Sequence, residues 1–433
     1  MKFKINIAFI LISIIKLSVI DAQTNLLSLD EAIKMAVQNS YDIQLVKNDL
    51  VSARLNDTRA NAGMLPRVNA GLSDNLGNSS IYQKLANGNE IQRNFAFNNG
   101  LNANVSATYT LFDGYRMYAT KQRLSELVKL GEINAKTQIQ NTIATVSVAY
   151  YDVVRQQQQL RITDTLMAVT SERMRLANAR FEIGTAPKMD LLQSKVDLNV
   201  LKSNRLRQVG NLQNAKASLN LLLQRLPGLN FEVNNEILLS ALNVQDVEQA
   251  IQKNNGTLQA IAQRKQILST SRKEISAGRL PTVSLNGATV YNLNNAQAGF
   301  TLVNRNVGFN VGFSATMPLY DAGNIKRQEA LTDIEMQNRQ IEYDRQQAAL
   351  MLQVNRQFTE YTVAREQIRI EESNLPLIEE NLTIAIARFK LGQSMNILEI
   401  KEIQRQYEDS FNRSINARYN AKLVEIELAR ISQ

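Results

Sequence analysis

Asn306–Leu319, NVGFNVGFSATMPL, decides the reading of the chain. Val307, Phe309, Val311, Phe313, Ala315, Met317 and Leu319 alternate with Asn306, Gly308, Asn310, Gly312, Ser314 and Thr316. A period of two over this length gives a strand with one apolar face and one small, polar face. No charge interrupts it; Arg305 and Asp321 stand just outside. A tilted strand needs roughly 9–11 residues to cross a bilayer with its two faces alternating. A half-buried strand of a soluble sheet would share the pattern, so its companions must decide. Leu101–Leu111 alternates as cleanly, and weaker patterns begin after Pro66 and Pro281. Four strands are therefore expected, over 67–77, 100–112, 281–292 and 306–319, as two hairpins with Gly- and Asn-rich loops near 77–99 and 293–305. Tyr109, Phe112, Tyr115, Phe309, Phe313 and Tyr320 would gather toward the helix-side ends, as an interfacial girdle does.

The remainder is helical and duplicated. ANARFEIG (177–184) returns as AIARFKLG (385–392), and TLFDG (110–114) as PLYDA (318–322), both 208 residues later; LPRV (65–68) returns as LPTV (280–283). A repeat at fixed spacing implies one structural unit used twice. The first repeat spans 23–225, with helices 28–63, 115–183 and 188–225. A linker, 226–245, leads to the second, 246–433, with helices 246–279, 323–391 and 395–431. Residues 1–22 read as a secretory signal, with Lys2 and Lys4 before an apolar run from Ile5 to Ile15. On the long helices Ile139, Val146, Val153, Leu160, Met167, Met174 and Phe181 fall seven apart. Val354, Tyr361, Ile368, Leu375, Leu382 and Phe389 repeat the register. A sustained seven-residue period imposes a left-handed coiled coil. Pro376 lies inside the second long helix, where a kink is expected. Each unbroken long helix matches in length a pair of shorter ones, which would meet mid-height beside the linker.

Composition removes several functions. Among 433 residues there is no Cys and no His, so disulfides, thiol chemistry and the commonest general base and metal ligand are absent. The net charge of +9 is dispersed along helices beside Glu and Gln, a solvated surface rather than a nucleic-acid footprint. No phosphate-binding, serine-hydrolase or zinc motif occurs. Glu371–Glu372 and Glu379–Glu380 are expected on wet helix faces, so no enzyme, catalytic residue, cofactor or metal is expected. Four strands cannot close a barrel, and lipid does not tolerate open edges. Two copies give eight strands, whose interior fills with side chains; three give twelve and room for water. The expected fold is mainly α with a small β part: antiparallel coiled-coil helices forming an α-barrel, with four transmembrane strands per chain in a shared 12-stranded barrel of a trimer.

The duplicated ARFEIG and ARFKLG, LFDG and LYDA, each with a Leu-Pro before its strands, resemble the TolC-like outer-membrane efflux family over roughly 28–431. The resemblance implies a homotrimeric channel-tunnel in the outer membrane of a Gram-negative bacterium, extending into the periplasm. It would dock on a periplasmic adaptor protein and serve an inner-membrane transporter, in drug or metal efflux or in type I secretion. Its helical tips carry the adaptor contact, which maps onto Arg180, Gly184, Arg388 and Gly392. A carboxylate six residues after the first tip Gly helps constrict the entrance, and Asp190 holds that place. In the second copy Leu398 and Lys401 stand six and nine residues after Gly392, with Glu399 adjacent as the acidic candidate. Ser394 replaces the tip-loop Arg of some members. The rival reading is an exported trimeric coiled-coil fibre, structural or adhesive, which needs neither the alternating strands nor the matched helix lengths.

Overall fold

A computed structural model describes residues 26–391 and 397–433. The expected signal, Gly392 and Ser394 lie outside these residues. In chain order the elements are β1 (Leu26–Leu27), α1 (Leu29–Asn39), α2 (Tyr41–Asn56), β2 (Arg67–Lys84), β3 (Glu90–Asp113), α3 (Arg116–Glu182) and α4 (Lys188–Leu222). They continue as β4 (Glu232–Val233), α5 (Val244–Asn254), α6 (Gly256–Ala277), β5 (Thr282–Ala296), β6 (Val303–Thr316), α7 (Asn324–Lys390) and α8 (Ile397–Ser432). Helix dominates, with a small β part. The chain divides into two compact units. One holds described residues 26–40, 143–241 and 360–426; the other holds 41–142, 242–359 and 427–433.

The second unit contains the sheet, β2-β3-β5-β6, with every neighbouring pair antiparallel. Its first hairpin corrects the expected loop at 77–99, because pairing continues to Lys84↔Glu90 around a turn at Gly88, φ +88°. Ladder hydrogen bonds do not depend on side-chain type, so Asn and Ser there form strand without an alternating signature. β6 ends at Thr316, leaving Met317–Tyr320 outside it. Phe309, expected near the helix-side end, instead pairs with Thr289 in mid-strand.

The aromatic-Asp motif explains how each strand pair starts a long helix. Both Asp113 carboxylate oxygens accept from Met117 N, at 2.9 and 3.2 Å. Asp321 accepts from Gly323 N at 2.9 Å and Ile325 N at 2.8 Å. Those backbone bonds, Ile325 foremost, hold the Asp321 carboxyl below the usual carboxylate range. The chain turns through two left-handed residues in each copy, Gly114 (φ +71°) and Tyr115 (+68°), then Ala322 (+54°) and Gly323 (+76°). At Gly114 a Cβ would lie 2.5 Å from the Ala277 carbonyl oxygen, so only glycine fits there.

Two expected continuous helices are broken. The stretch 28–63 ends α1 at Asn39, resumes as α2 and stops at Asn56. Ser28 and Glu31 form a reciprocal cap at the start of α1. The stretch 246–279 breaks at Asn255, whose side-chain oxygen accepts from Thr257 N and Leu258 N and starts a new helix. By contrast α7 runs through Pro376 without interruption. At 67 residues each, α3 and α7 contain about 100 Å of helix.

The first unit is built on two antiparallel helix pairs, α3/α4 and α7/α8. Its main core gathers Val146, Tyr150, Val153 and Val154 of α3 with Leu212, Ala215, Leu219 and Leu223 and with Phe231, Val233 and Ile237. Leu27, Ala32 and Ala36 close it, β1 pairs in parallel with β4, and Tyr150 donates to the Leu27 carbonyl at 3.0 Å. On its part of α7 the heptad positions Tyr361, Ile368, Leu382 and Phe389 are buried. On α3 the expected seam drifts toward the tip: Phe181 is 38% exposed, and Ile162, Leu166, Thr170, Arg173 and Ala177 are buried instead. The reason is that α3 touches α8 as well as α4, so its buried stripe lies between the two contacts. Glu371, expected on a wet face, is buried in the α7/α8 seam, where Ser410 and Arg413 donate to its carboxylate. Arg413, the largest cause, holds that carboxyl below its usual range against the opposing effect of burial.

Candidate functional site

The residues singled out from the sequence fall in two places, the sheet and the turn where α3 meets α4. Register separates the faces of the sheet. Val307, Phe309, Val311 and Phe313 of β6 stand level with Tyr291, Thr289, Gly287 and Leu285 of β5. Those are level with Ala103, Val105, Ala107 and Tyr109 of β3, and the first three with Leu72, Ala70 and Val68 of β2. This face is apolar across four strands, yet Phe309 is 85% and Leu72 76% exposed. Water would penalise such a surface at about 25 cal/mol per Å², whereas lipid would not. One cross-strand row, Asp74, Leu101, Leu293 and Arg305, carries a charge at each end and bounds the band. From Val307 to Ala315 the band takes about the length a tilted strand needs to cross hydrocarbon. The opposite face bears Asn69, Gly71, Ser73, Asn102, Asn104, Ser106, Asn286, Asn310 and Ser314, small and uncharged. Among the described residues β2 and β6 each pair along one edge only.

At the tip, α3 ends in a Schellman turn. Gly184, φ +75°, sends its N–H to the Phe181 carbonyl at 3.0 Å, and Thr185 N reaches the Arg180 carbonyl at 2.9 Å. Arg180 is committed within the chain: its Nη2 donates to the Phe389 carbonyl at 2.6 Å and its guanidinium lies 4.5 Å over the Phe389 ring. Arg388, one residue before, is exposed. Asp190, the third residue of α4, is half-buried; Glu399, the third of α8, is exposed. Both carboxylates sit in a first helical turn, where the helix dipole favours them. Among the described residues no hydrogen bond or ion pair joins them.

A polar cluster with no signature in the sequence lies just above this turn. Arg173 donates from Nη2 to Asp197 at 2.5 Å and from Nη1 to Gln404 at 2.9 Å. Lys401 and Gln193 each donate to the other Asp197 oxygen at 2.9 Å. Burial pushes the Asp197 carboxyl up, but the Lys401 and Gln193 bonds and the Arg173 charge outweigh it and leave it ionised below the usual range. The cluster lines a groove of about 380 Å³ and ties α3, α4 and α8 together. Its residues lie on helices whose polar positions outnumber apolar ones, so nothing local distinguishes a buried Arg from a wet one. Among the described residues no acidic cluster could hold a metal ion, and no helix is long and apolar enough to cross a membrane.

The profile of the family described as outer membrane efflux protein matches residues 32–224 and 247–432, nearly all of both repeats. The chain belongs to the outer membrane efflux protein family. Solved structures agree in fold. The CmeC outer membrane channel of Campylobacter jejuni superposes with a TM-score of 0.72 at 14% identity, covering 93% of this chain and 85% of that one. The outer membrane protein VceC of Vibrio cholerae gives 0.73 at 16%, covering 93% and 95%. The MtrE outer membrane channel of Neisseria gonorrhoeae, in its open state, gives 0.69 at 14%, covering 93% and 88%. No curated protein matches by sequence. This efflux protein is therefore a channel component of the Gram-negative outer membrane that extends into the periplasm, with the fold of the TolC-like channel-tunnels. Its family is one of passive efflux channels, not of enzymes. The fibre reading finds no support.

Proposed function

We propose that three copies of this outer membrane efflux protein join their sheets into one 12-stranded barrel and form a passive export duct. The observation that carries this is the sheet itself, whose apolar face is open and whose two edges lack partners among the described residues. Lipid accepts the face but not the edges, so closure requires further strands. Three copies supply the first closed barrel with a water-filled lumen, and the Asn- and Ser-lined face would be its wall.

The duct works with a periplasmic adaptor and an inner-membrane transporter, which supplies the energy and hands over the cargo of efflux or of type I secretion. No residue of this chain performs catalysis or holds a cofactor or metal. Arg180, held on Phe389, shapes a helical tip at which Gly184, Arg388 and Gly392 meet the adaptor. Asp190 and Glu399 narrow the entrance. Adaptor binding shifts the tips toward an open arrangement by its higher affinity for that state.

Detergent extracts of outer membranes test the assembly. Unboiled protein should run as a trimer and boiled protein as a monomer; recovery as a soluble species without detergent would refute the duct. Gly184→Pro tests the tip, because proline cannot adopt φ +75°. Trimers should form normally while export is lost; wild-type export would refute the docking assignment.

A further inference from the structure

The polar face of the sheet is almost free of charge. From the cross-strand row that begins with Arg67 on β2 to the row that begins with Asn75, Arg67 alone on this face is ionised. The amides of the face lie down on it. Asn104 Oδ1 fills the space over Gly71, 2.5 Å from where a Cβ would stand, and Asn98 lies likewise over Gly77. Asn286 donates to Ser314 Oγ at 2.8 Å. These side chains turn toward neighbouring strands and leave a flat, neutral surface.

Arg67 is the exception in both charge and reach. It opens β2 opposite Thr108 and is exposed; among the described residues no ion pair or hydrogen bond holds its side chain. Alternation settles its side, because Val68 lies on the apolar face. The rest of the polar face is Gly, Ala, Val, Ser, Thr and Asn, so the guanidinium extends past its neighbours. A lone Arg on a mixed surface means little, since nearby carboxylates offset it. Here no carboxylate shares its face, and Asp74 and Arg305 belong to the other one. The internal repeat fixes the number. LPRV (65–68) returns as LPTV (280–283), with Thr282 at the place of Arg67, so each copy brings one cation to this level.

We propose that Arg67 makes the barrel favour anionic over cationic solutes. The proposal rests on the duct described above, in which the polar face is the lumen wall. Three copies then hold three guanidinium groups at the helix-side mouth of the barrel, and the wall beyond them adds no fixed charge. Low-dielectric walls focus such a field along the water between them. The effect is a bias on passage rather than capture. A built anion site needs several converging donors, whereas Arg67 stands alone and Asn286, the amide nearest it in register, is already bonded to Ser314. In water, a unit charge about 7 Å away enriches a monovalent anion and depletes a monovalent cation by about threefold each.

The chain has no Cys, so one engineered thiol reports cleanly. Asn69→Cys lies two residues along the same face, about 7 Å from Arg67. Detergent-solubilised trimers at about 10 mM salt, where screening is weak, are treated with two methanethiosulfonates of similar size. One bears a sulfonate and the other a trimethylammonium group. The ratio of their rates cancels any effect of Arg67 on the thiol itself. Arg67→Gln should lower the anion-to-cation ratio about five- to ninefold, and about 1 M salt should erase that difference. Arg67→Lys should keep the ratio. Val68→Cys, on the apolar face under detergent, should react with neither reagent. An unchanged ratio in Arg67→Gln, with Asn69→Cys still reactive, would overturn the proposal and leave the duct standing. If Val68→Cys reacts and Asn69→Cys does not, the faces are reversed, and the duct and the preference fall together.

Discussion

Asp197→Ala should loosen the tip region more than any other single carboxylate change in the first unit. The Arg173 side chain is 3% exposed and that of Asp197 10%, so the substitution strands a cation in a site with little water. Breaking a buried pair in this way costs about 3–5 kcal/mol. Lys401 loses its partner too, but its side chain is 51% exposed and water replaces the bond. At about 1.4 kcal/mol per decade the loss corresponds to roughly a hundred- to four-thousandfold faster local opening. Hydrogen exchange on the detergent-solubilised protein reads this directly. Peptides from 166–180, 190–204 and 398–408 should exchange faster by that factor, and peptides from β2 and β3 should not change. Arg173→Met/Asp197→Leu removes both charges and should recover most of the protection. pH supplies a second arm. The folded carboxyl lies below its unfolded value near 3.9, so its stabilisation is present above that pH and lost as pH falls through the lowered value. Wild type should keep its protection at pH 5 and approach the Asp197→Ala rate only in strong acid. Exchange in Asp197→Ala within tenfold of wild type at pH 7 would refute the reasoning.

Three further outcomes are expected. Phe309→Arg places a charge on the apolar face of the sheet at a cost of about 2–4 kcal/mol, whereas Asn310→Arg, on the polar face, should insert normally; yields of membrane-integrated protein compare them. Gly114→Ala meets the Ala277 carbonyl and should lower the temperature at which assemblies dissociate more than Gly323→Ala, which has open space and only an unfavourable φ costing about 1–2 kcal/mol. Glu371→Gln should reduce thermal stability at neutral pH and make little difference in strong acid. The Glu371 carboxyl is held below its usual range, so its contribution exists above about pH 4.3 and disappears as pH falls through the folded value.

Much of this fold is legible in the sequence itself. The alternation at 306–319 located β6 and its two faces, and the 208-residue repeat located the long helices, because both signals come from single side chains at fixed periods. Where structure is not carried by a periodic pattern, the sequence does not reveal it. The outer halves of β2 and β3 are held by main-chain bonds between Asn- and Ser-rich segments, so they read as loop. Asn255 looked like one more polar residue in a helix, although its cap divides α5 from α6. Glu371 looked wet because a heptad tolerates a carboxylate at the seam only when a partner such as Arg413 arrives from elsewhere. Of the tip residues, Gly184 was legible from its turn, while the commitment of Arg180 to Phe389 was not.

Sequence alone determined that this chain has strands with one lipid-compatible face, two coiled-coil repeats, and no chemistry built on Cys or His. Such properties are local, set by side-chain period and composition along a stretch of backbone. Only the tertiary structure decided that Arg173, Asp197, Gln404 and Lys401 converge and that α3 is covered on two sides. Those depend on which helices become neighbours, and many polar surfaces of equal composition permit several neighbours until the folded chain selects one.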